Sequence, residues 1–283
     1  MRKLSAVISI LIGLFLPLTV VASDRNIVIN SINAEYYSES IEDTIQDIQS
    51  IDVNLSDEEY FRKIFSCLDD YSIYYSRDEY INNVTTNNNS IEAEISNECI
   101  EIRINRFSYG IEKYFSEYLI KAKDRKIRKM ELDLTSCPGG YISVMNAIAN
   151  EIMPKGKVMT AKFKNREQVY YSELEKCPFD EIIVKVSSQT ASAAEILAAG
   201  LQEAGVAKVV GVNTYGKTSI QSFHRLESGA AFKLTCGEYL TRNGNDISKT
   251  GVIPDMVDYS YPVKIRWNDY CKEVFRNNKA VSE

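Results

Sequence analysis

The residues best suited to chemistry sit in the second half of this 283-residue chain. Residues 211–218 read GVNTYGKT and match the phosphate-cradle pattern G-x-x-x-x-G-K-[ST], whose turn aims backbone N–H groups at phosphates. Such a cradle needs a helix directly after the lysine. Instead the segment TSIQSFHRLESGAAFKLTCGEYL alternates apolar and polar residues, carries Gly229 and Gly237, and predicts hairpin strands. It also offers no good magnesium-binding aspartate, so no nucleotide is expected.

A lysine behind a tight glycine turn has a second use, as a base. Upstream, Ser192 in VSSQTASAAEILAAGLQEAG stands where the strand-like EIIVKV gives way to a helix closed by Gly205. There its Oγ lies near free helix N–H groups and the positive end of the dipole, which suits a nucleophile and the oxyanion its attack creates. Taken alone, the stretch suits an ordinary N-cap serine better. The only histidine, His224, lies in the strand-like FHRLE and reads as a surface or core residue. Lysine is the other base, because burial among apolar groups makes it give up its charge. Lys217, between Tyr215 and Ile220, fits that use, and a solvated turn lysine is its plain alternative.

Metal chemistry has little to draw on. Cys67, Cys99, Cys137, Cys177, Cys236 and Cys271 are spaced too far apart for a CxxC motif, and one histidine adds little, so no metal or cofactor is expected. An even count permits disulfides in an oxidising compartment, with connectivity unreadable.

The elements that must position Ser192 and Lys217 follow from periodicity. Ser56-Asp57-Glu58-Glu59 is a capping box and predicts a helix over 57–68, followed by the polar INNVTTNNNS as a loop or linker. Beyond Glu98, the strand-like CIEIRI, KMELDL, KVMTAKF, EIIVKV and AKVVG alternate with helical EKYFSEYLIKAKD, YISVMNAIANEIM and ASAAEILAAGLQEAG. That alternation predicts an α/β domain with a largely parallel sheet.

At the other end, Arg2 and Lys3, an apolar run and the small residues Ala22 and Ser23 read as a secretory signal peptide over 1–23. Without Arg2 and Lys3 the formal charge moves from −6 to −8, with 31 basic against 39 acidic side chains, which argues against nucleic acid as a partner.

TASAAEI, with a lysine in TYGKTSIQ 25 residues after its serine, resembles the C-terminal processing (tail-specific) peptidases, a Ser-Lys dyad family. LDLTSCPGG is similar to the family's Leu-Asp-Leu-Arg-x-Asn-Pro-Gly-Gly, AFKLTCGEYLTRNGNDISKTGVIPD to its strand pair ending in Gly-x-x-Pro-Asp, and FSCLDDYSIYYSRDEY to a segment ahead of its PDZ domain. The likeness runs from about residue 57 to 256. It implies a Clp protease/crotonase-like ββα core behind a small N-terminal helical segment. It also implies Ser192 as nucleophile, Lys217 as base, Gln221 orienting the lysine amine, and an oxyanion hole from the backbone N–H groups of Ala193 and of Gly140 or Gly139. Ser187, Ser188 and Thr190 are rival hydroxyls without the matching spacing.

Departures matter too. Thr135 stands for the family's usual Arg, and Thr218 for the Gly after its lysine. Only 16 residues separate Tyr80 from Asn97, where an independent domain needs roughly 50. The PDZ module, which captures substrate C-termini by strand addition, is therefore expected to be missing.

The resulting expectation is an exported, periplasmic or extracellular serine endopeptidase acting on proteins or peptides, with no nucleotide and with any adaptor or oligomer partner unknown. It would comprise the signal peptide, an N-terminal helical segment and linker (24–92), a peptidase core (93–262) and a C-terminal tail (263–283). A catalytically silent peptide- or ligand-binding scaffold, and a hydrolase of non-peptide esters or amides, are the other readings these residues leave open.

Overall fold

A computed structural model describes residues 23–38, 41–84 and 90–260; the expected signal peptide, but for its last residue Ser23, and the expected C-terminal tail lie outside them. The described residues open with α1 (Asp24–Glu35), α2 (Ile41–Gln49), α3 (Asp57–Ser66), β1 (Ile73–Tyr75) and α4 (Arg77–Val84). Then come β2 (Ile91–Ile95), β3 (Cys99–Ile104), α5 (Ile111–Asp124), β4 (Lys129–Asp133) and α6 (Ile142–Ile152). An antiparallel pair, β5 (Gly156–Phe163) and β6 (Arg166–Ser172), precedes β7 (Glu181–Val186), α7 (Ala193–Glu203) and β8 (Lys208–Gly211). The hairpin β9 (Ser219–Arg225) and β10 (Ala231–Leu240) and the short β11 (Met256–Val257) complete the order.

Two sheets result. In the first, ordered β11-β8-β7-β4-β3-β2, all neighbours are parallel except the edge pair β2–β3. Three of its inner strands are CIEIRI, KMELD and EIIVKV, whose alternate side chains are buried. The second sheet is antiparallel: β10 pairs β9 along one edge, and β1 and β5 along the other, with β6 outside β5. KVMTAKF therefore leaves the parallel series that its alternation with helices suggested. It is β5, and its partner REQVYYS carries too many polar residues to read as a strand, because β6 is a sheet edge with its side chains largely toward solvent.

Helix α7 packs against strands of both sheets, β5 and β8, and each residue from Ala193 to Leu201 is buried. This explains the small, apolar AAEILAAG, since a helix covered all round has no polar stripe to present. At the N-terminus, Ser56 and Glu59 close the capping box of α3 as its spacing predicts. Of INNVTTNNNS, expected as a loop or linker, the first four residues belong to α4, and 85–89 lie outside the described residues. Val28, Ile32, Phe61, Ile64 and Phe65 from these helices meet Phe232 and Leu234 of β10 in a second core, separate from the one between the sheets. The β9–β10 hairpin thus runs from one core to the other. No described helix is long and apolar enough to cross a membrane, and Cys67, Cys99, Cys137, Cys177 and Cys236 are unbridged.

Candidate active site

Strands β4 and β7 are parallel neighbours, so the turns leaving their carboxyl ends lie side by side, where open α/β sheets hold their ligands. Side-chain and backbone bonds join the two turns. Thr190 Oγ1 donates to Leu134 O at 2.9 Å, Ser187 Oγ to Thr135 O at 2.5 Å, and Ala191 N to Cys137 O at 3.0 Å. The rival hydroxyls Ser187 and Thr190 are thereby committed to structure. His224 is likewise occupied: Nε2 lies 3.1 Å from Glu35 and 3.0 Å from Ser222 Oγ, and its ring stacks on Phe232.

The turn after β4 carries Pro138-Gly139-Gly140. Gly139 has φ +102°, and a Cβ there would lie 2.8 Å from Ala191 O, 2.9 Å from Ser192 Cβ and 3.1 Å from Ala193 N. Only glycine permits that approach. Gly140, at φ +145°, would drive a Cβ to within 2.4 Å of Phe107 O. Phe107 N donates to Gly139 O at 2.9 Å. In a trans peptide the N–H points opposite to the C=O, so the Gly140 N–H is turned away from Phe107. As the first residue of α7, Ala193 has an N–H with no carbonyl of its own helix to meet.

Ser192 sits at φ +56°, ψ −122°, a region costing a residue with a Cβ about 1–3 kcal/mol. Glu195 holds it there. This carboxylate is wholly buried and accepts four donors: Ser192 N at 2.8 Å, Lys217 N at 2.9 Å, Gly216 N at 2.6 Å and Thr214 Oγ1 at 2.5 Å. Burial pushes its carboxyl above the usual range although those bonds pull it down. One side chain thus holds the serine and the lysine backbones together. Tyr239 adds a second tie, its OH donating to Ser192 O at 3.4 Å and its N to Thr218 O at 3.0 Å.

The GKT turn leads into β9, not into a helix, which removes the phosphate-cradle geometry. The Lys217 side chain points back among protein groups. Nζ donates to Gln221 Oε1 at 2.5 Å and to Ser219 O at 3.3 Å, and lies 4.8 Å from the centre of the Tyr71 ring. It makes no hydrogen bond to Ser192 Oγ. Burial, with a smaller push from Lys233, brings its pKa down to about 8, against the opposing pull of Asp69 and Glu195. An amine in that state is partly neutral near pH 8 and able to take a proton.

Ser192, Lys217, Gln221, Ala193 and the glycine pair are brought into one neighbourhood. Sequence reasoning missed Glu195, although its place three residues after Ser192 is the capping-box position that flags a carboxylate turned back on the serine. Tyr71, Asp69 and Thr235 were also missed, and no local signal pointed to them.

Residues 99–258 match the model described as Peptidase family S41. Carboxy-terminal processing protease CtpA of Bacillus subtilis (strain 168) is 32% identical over 174 residues, 61% of this chain and 36% of the relative. The carboxyl-terminal-processing protease of Synechocystis sp. (strain ATCC 27184 / PCC 6803 / Kazusa) is 32% identical over 157 residues, 55% of this chain and 37% of its own length. The chain therefore spans little more than a third of these relatives.

Among solved structures, a lipoprotein from Streptococcus agalactiae superposes with TM-score 0.68 at 18% identity, over 84% of this chain and 92% of that one. The photosystem II D1 C-terminal processing protease gives 0.54 at 20% identity, over 61% of this chain and 49% of that one. At such identities both speak for the α/β fold alone. The family model takes in more than half of the sequence, from the first residue of β3 to just past β11, and on that match the chain belongs to peptidase family S41.

Proposed function

We propose that this chain is an exported serine endopeptidase that hydrolyses peptide bonds, near substrate C-termini, with Ser192 as nucleophile and Lys217 as its base. The observation that carries the reading is the buried Glu195, which binds the backbone N–H of both residues while Lys217 sits where an amine gives up its proton. Ser192 Oγ attacks the peptide carbonyl carbon and its proton passes to Lys217 Nζ. The tetrahedral oxyanion is met by the N–H groups of Ala193 and Gly140. Lys217 then returns the proton to the leaving amine as the C–N bond breaks, and an acyl ester remains on Ser192. Water, deprotonated by the same lysine, hydrolyses that ester and restores the serine. For the first transfer Nζ exchanges Ser219 O for Ser192 Oγ while Gln221 keeps its hold.

In this reading the division into an N-terminal segment over 24–92 and a core over 93–262 is retained, with β2 spanning the boundary. The names of the curated relatives support cleavage near C-termini. The decisive experiment digests an unfolded protein, and an apolar peptide with a free C-terminus beside its amidated twin, with the full chain and with Ser192→Ala. Cleavage that vanishes in Ser192→Ala is expected, and preference for the free carboxylate would indicate tail recognition. Equal cleavage by both proteins, or none by the folded chain, would overturn the proposal.

A further inference from the structure

We propose that Asp69, between α3 and β1, is a positioning residue for the lysine: acting through the Thr235 hydroxyl, it fixes which end of the Gln221 amide faces Lys217. The inference rests on the reading of Lys217 as the base. A glutamine amide has one accepting and one donating end, and turning it by half a revolution exchanges them with little change of shape. Lys217 Nζ, as an ammonium, only donates and needs the oxygen, at 2.5 Å. Gln221 Nε2 lies 3.0 Å from Ser219 Oγ and 3.3 Å from Thr235 Oγ1. Hydroxyls both donate and accept, so these two neighbours alone would permit either orientation.

Asp69 removes the ambiguity. Its carboxylate oxygens only accept, and Oδ1 lies 2.9 Å from Thr235 Oγ1. The single proton of that hydroxyl is then committed to Asp69, and its oxygen is left to accept from Gln221 Nε2. The amide is obliged to turn its carbonyl to Lys217. Asp69 is itself tightly held. Its Oδ1 accepts Tyr71 N at 2.8 Å and Ser72 N at 3.2 Å, and Oδ2 accepts Ser72 Oγ at 2.9 Å. Ser72 Oγ in turn accepts Thr235 N at 3.0 Å, so carboxylate and threonine are registered twice. Thr235 is buried, which keeps water from supplying an alternative partner.

The test compares Thr235→Val, which keeps the branched shape and removes the hydroxyl, with Thr235→Ser, which restores it, each in the wild-type chain and in Gln221→Leu. Thr235→Val should lower kcat about three- to tenfold with KM little changed, the size expected for one hydrogen bond acting on the transition state. Thr235→Ser should recover it, and in Gln221→Leu the valine should cost nothing further. A loss of equal factor in both backgrounds would mean a merely structural threonine and overturn the inference, as would wild-type kcat in Thr235→Val.

A second readout needs no peptidase activity: the pH titration of the Lys217 Cε resonance by NMR. Both Thr235→Val and Asp69→Ala should move its midpoint to lower pH, the first by freeing the amide to turn an N–H toward the neutral amine, which favours the uncharged form, the second by also removing a negative charge. Lys233 and Glu195, the other charged groups acting on the lysine, are untouched. Midpoints unchanged in folded samples would overturn the inference even if Ser192 proves not to be a nucleophile. If Asp69→Ala does not fold, Thr235→Val decides alone.

Discussion

At the scale of single residues, the proposed role of Lys217 as base sets the pH dependence. Its pKa is lowered to about 8, so kcat/KM should rise through that value as the amine is freed; a rate falling between about pH 6 and 9 in a folded sample would exclude the lysine as base. The same shift bears on stability. Because the folded pKa lies below the ordinary value of 10.5, the charged amine opposes folding below about pH 8, and the cost is relieved as pH rises toward 10.5. Lys217→Met should therefore abolish cleavage while stabilising the fold by about 1–3 kcal/mol at neutral pH, a gain that shrinks in alkali. Chemical denaturation at two pH values measures it.

Glu195→Gln makes the opposite case. All four partners of Glu195 are donors, so an NH2 placed among them leaves at least one facing a donor. We expect a loss of about 1–3 kcal/mol in stability and a drop of tenfold or more in kcat. The roles proposed for Ser192, Lys217 and Gln221 can be read from sequence because the three lie in two short stretches whose spacing is characteristic. Those of Asp69 and Thr235 cannot, because these residues meet across 166 positions and only the packed β10 brings them together.

At the scale of elements, α3, α5, α6, α7 and the inner parallel strands were legible, since buried runs and amphipathic periods state their own type, whereas α1, α2 and α4 were not read individually. The second sheet was legible only as the β9–β10 hairpin. Strand β5 follows a helix just as the parallel strands do, and nothing in KVMTAKF says whether the chain will cross back to the first sheet or pair with its own successor. The PGG turn offers an element-level test. Gly139→Ala would press a methyl group into Ala191 O and Ser192 Cβ, and Gly140→Ala into the Phe107 carbonyl, each in a backbone conformation that alanine avoids. Both should lower the melting temperature, and Gly139→Ala, which displaces the serine itself, should also lower kcat. A Gly139→Ala variant as active as the wild type would count against the oxyanion hole proposed for this turn.

At the scale of the whole molecule, two cores share the β9–β10 hairpin. Phe232 is fully buried in the second core, against Phe65 and under His224. Phe232→Ala should cost about 3–5 kcal/mol. Hydrogen exchange should show the damage first in α1, α3 and β1, with the parallel sheet still protected. Uniform loss of protection would mean that the two cores unfold as one. Residues 99–258 carry the family match, yet the ring against Lys217 and the carboxylate behind Gln221 come from Tyr71 and Asp69, ahead of it.

That division of labour has a consequence for a population of such molecules. On the proposed chemistry, a copy whose helices have peeled from β10 has parted from the groups that keep its lysine poised, even with the serine, the PGG turn and the parallel sheet intact. Newly made or failing copies would then be harmless to their neighbours, and the blade would be drawn only in a molecule that has closed over its own hilt.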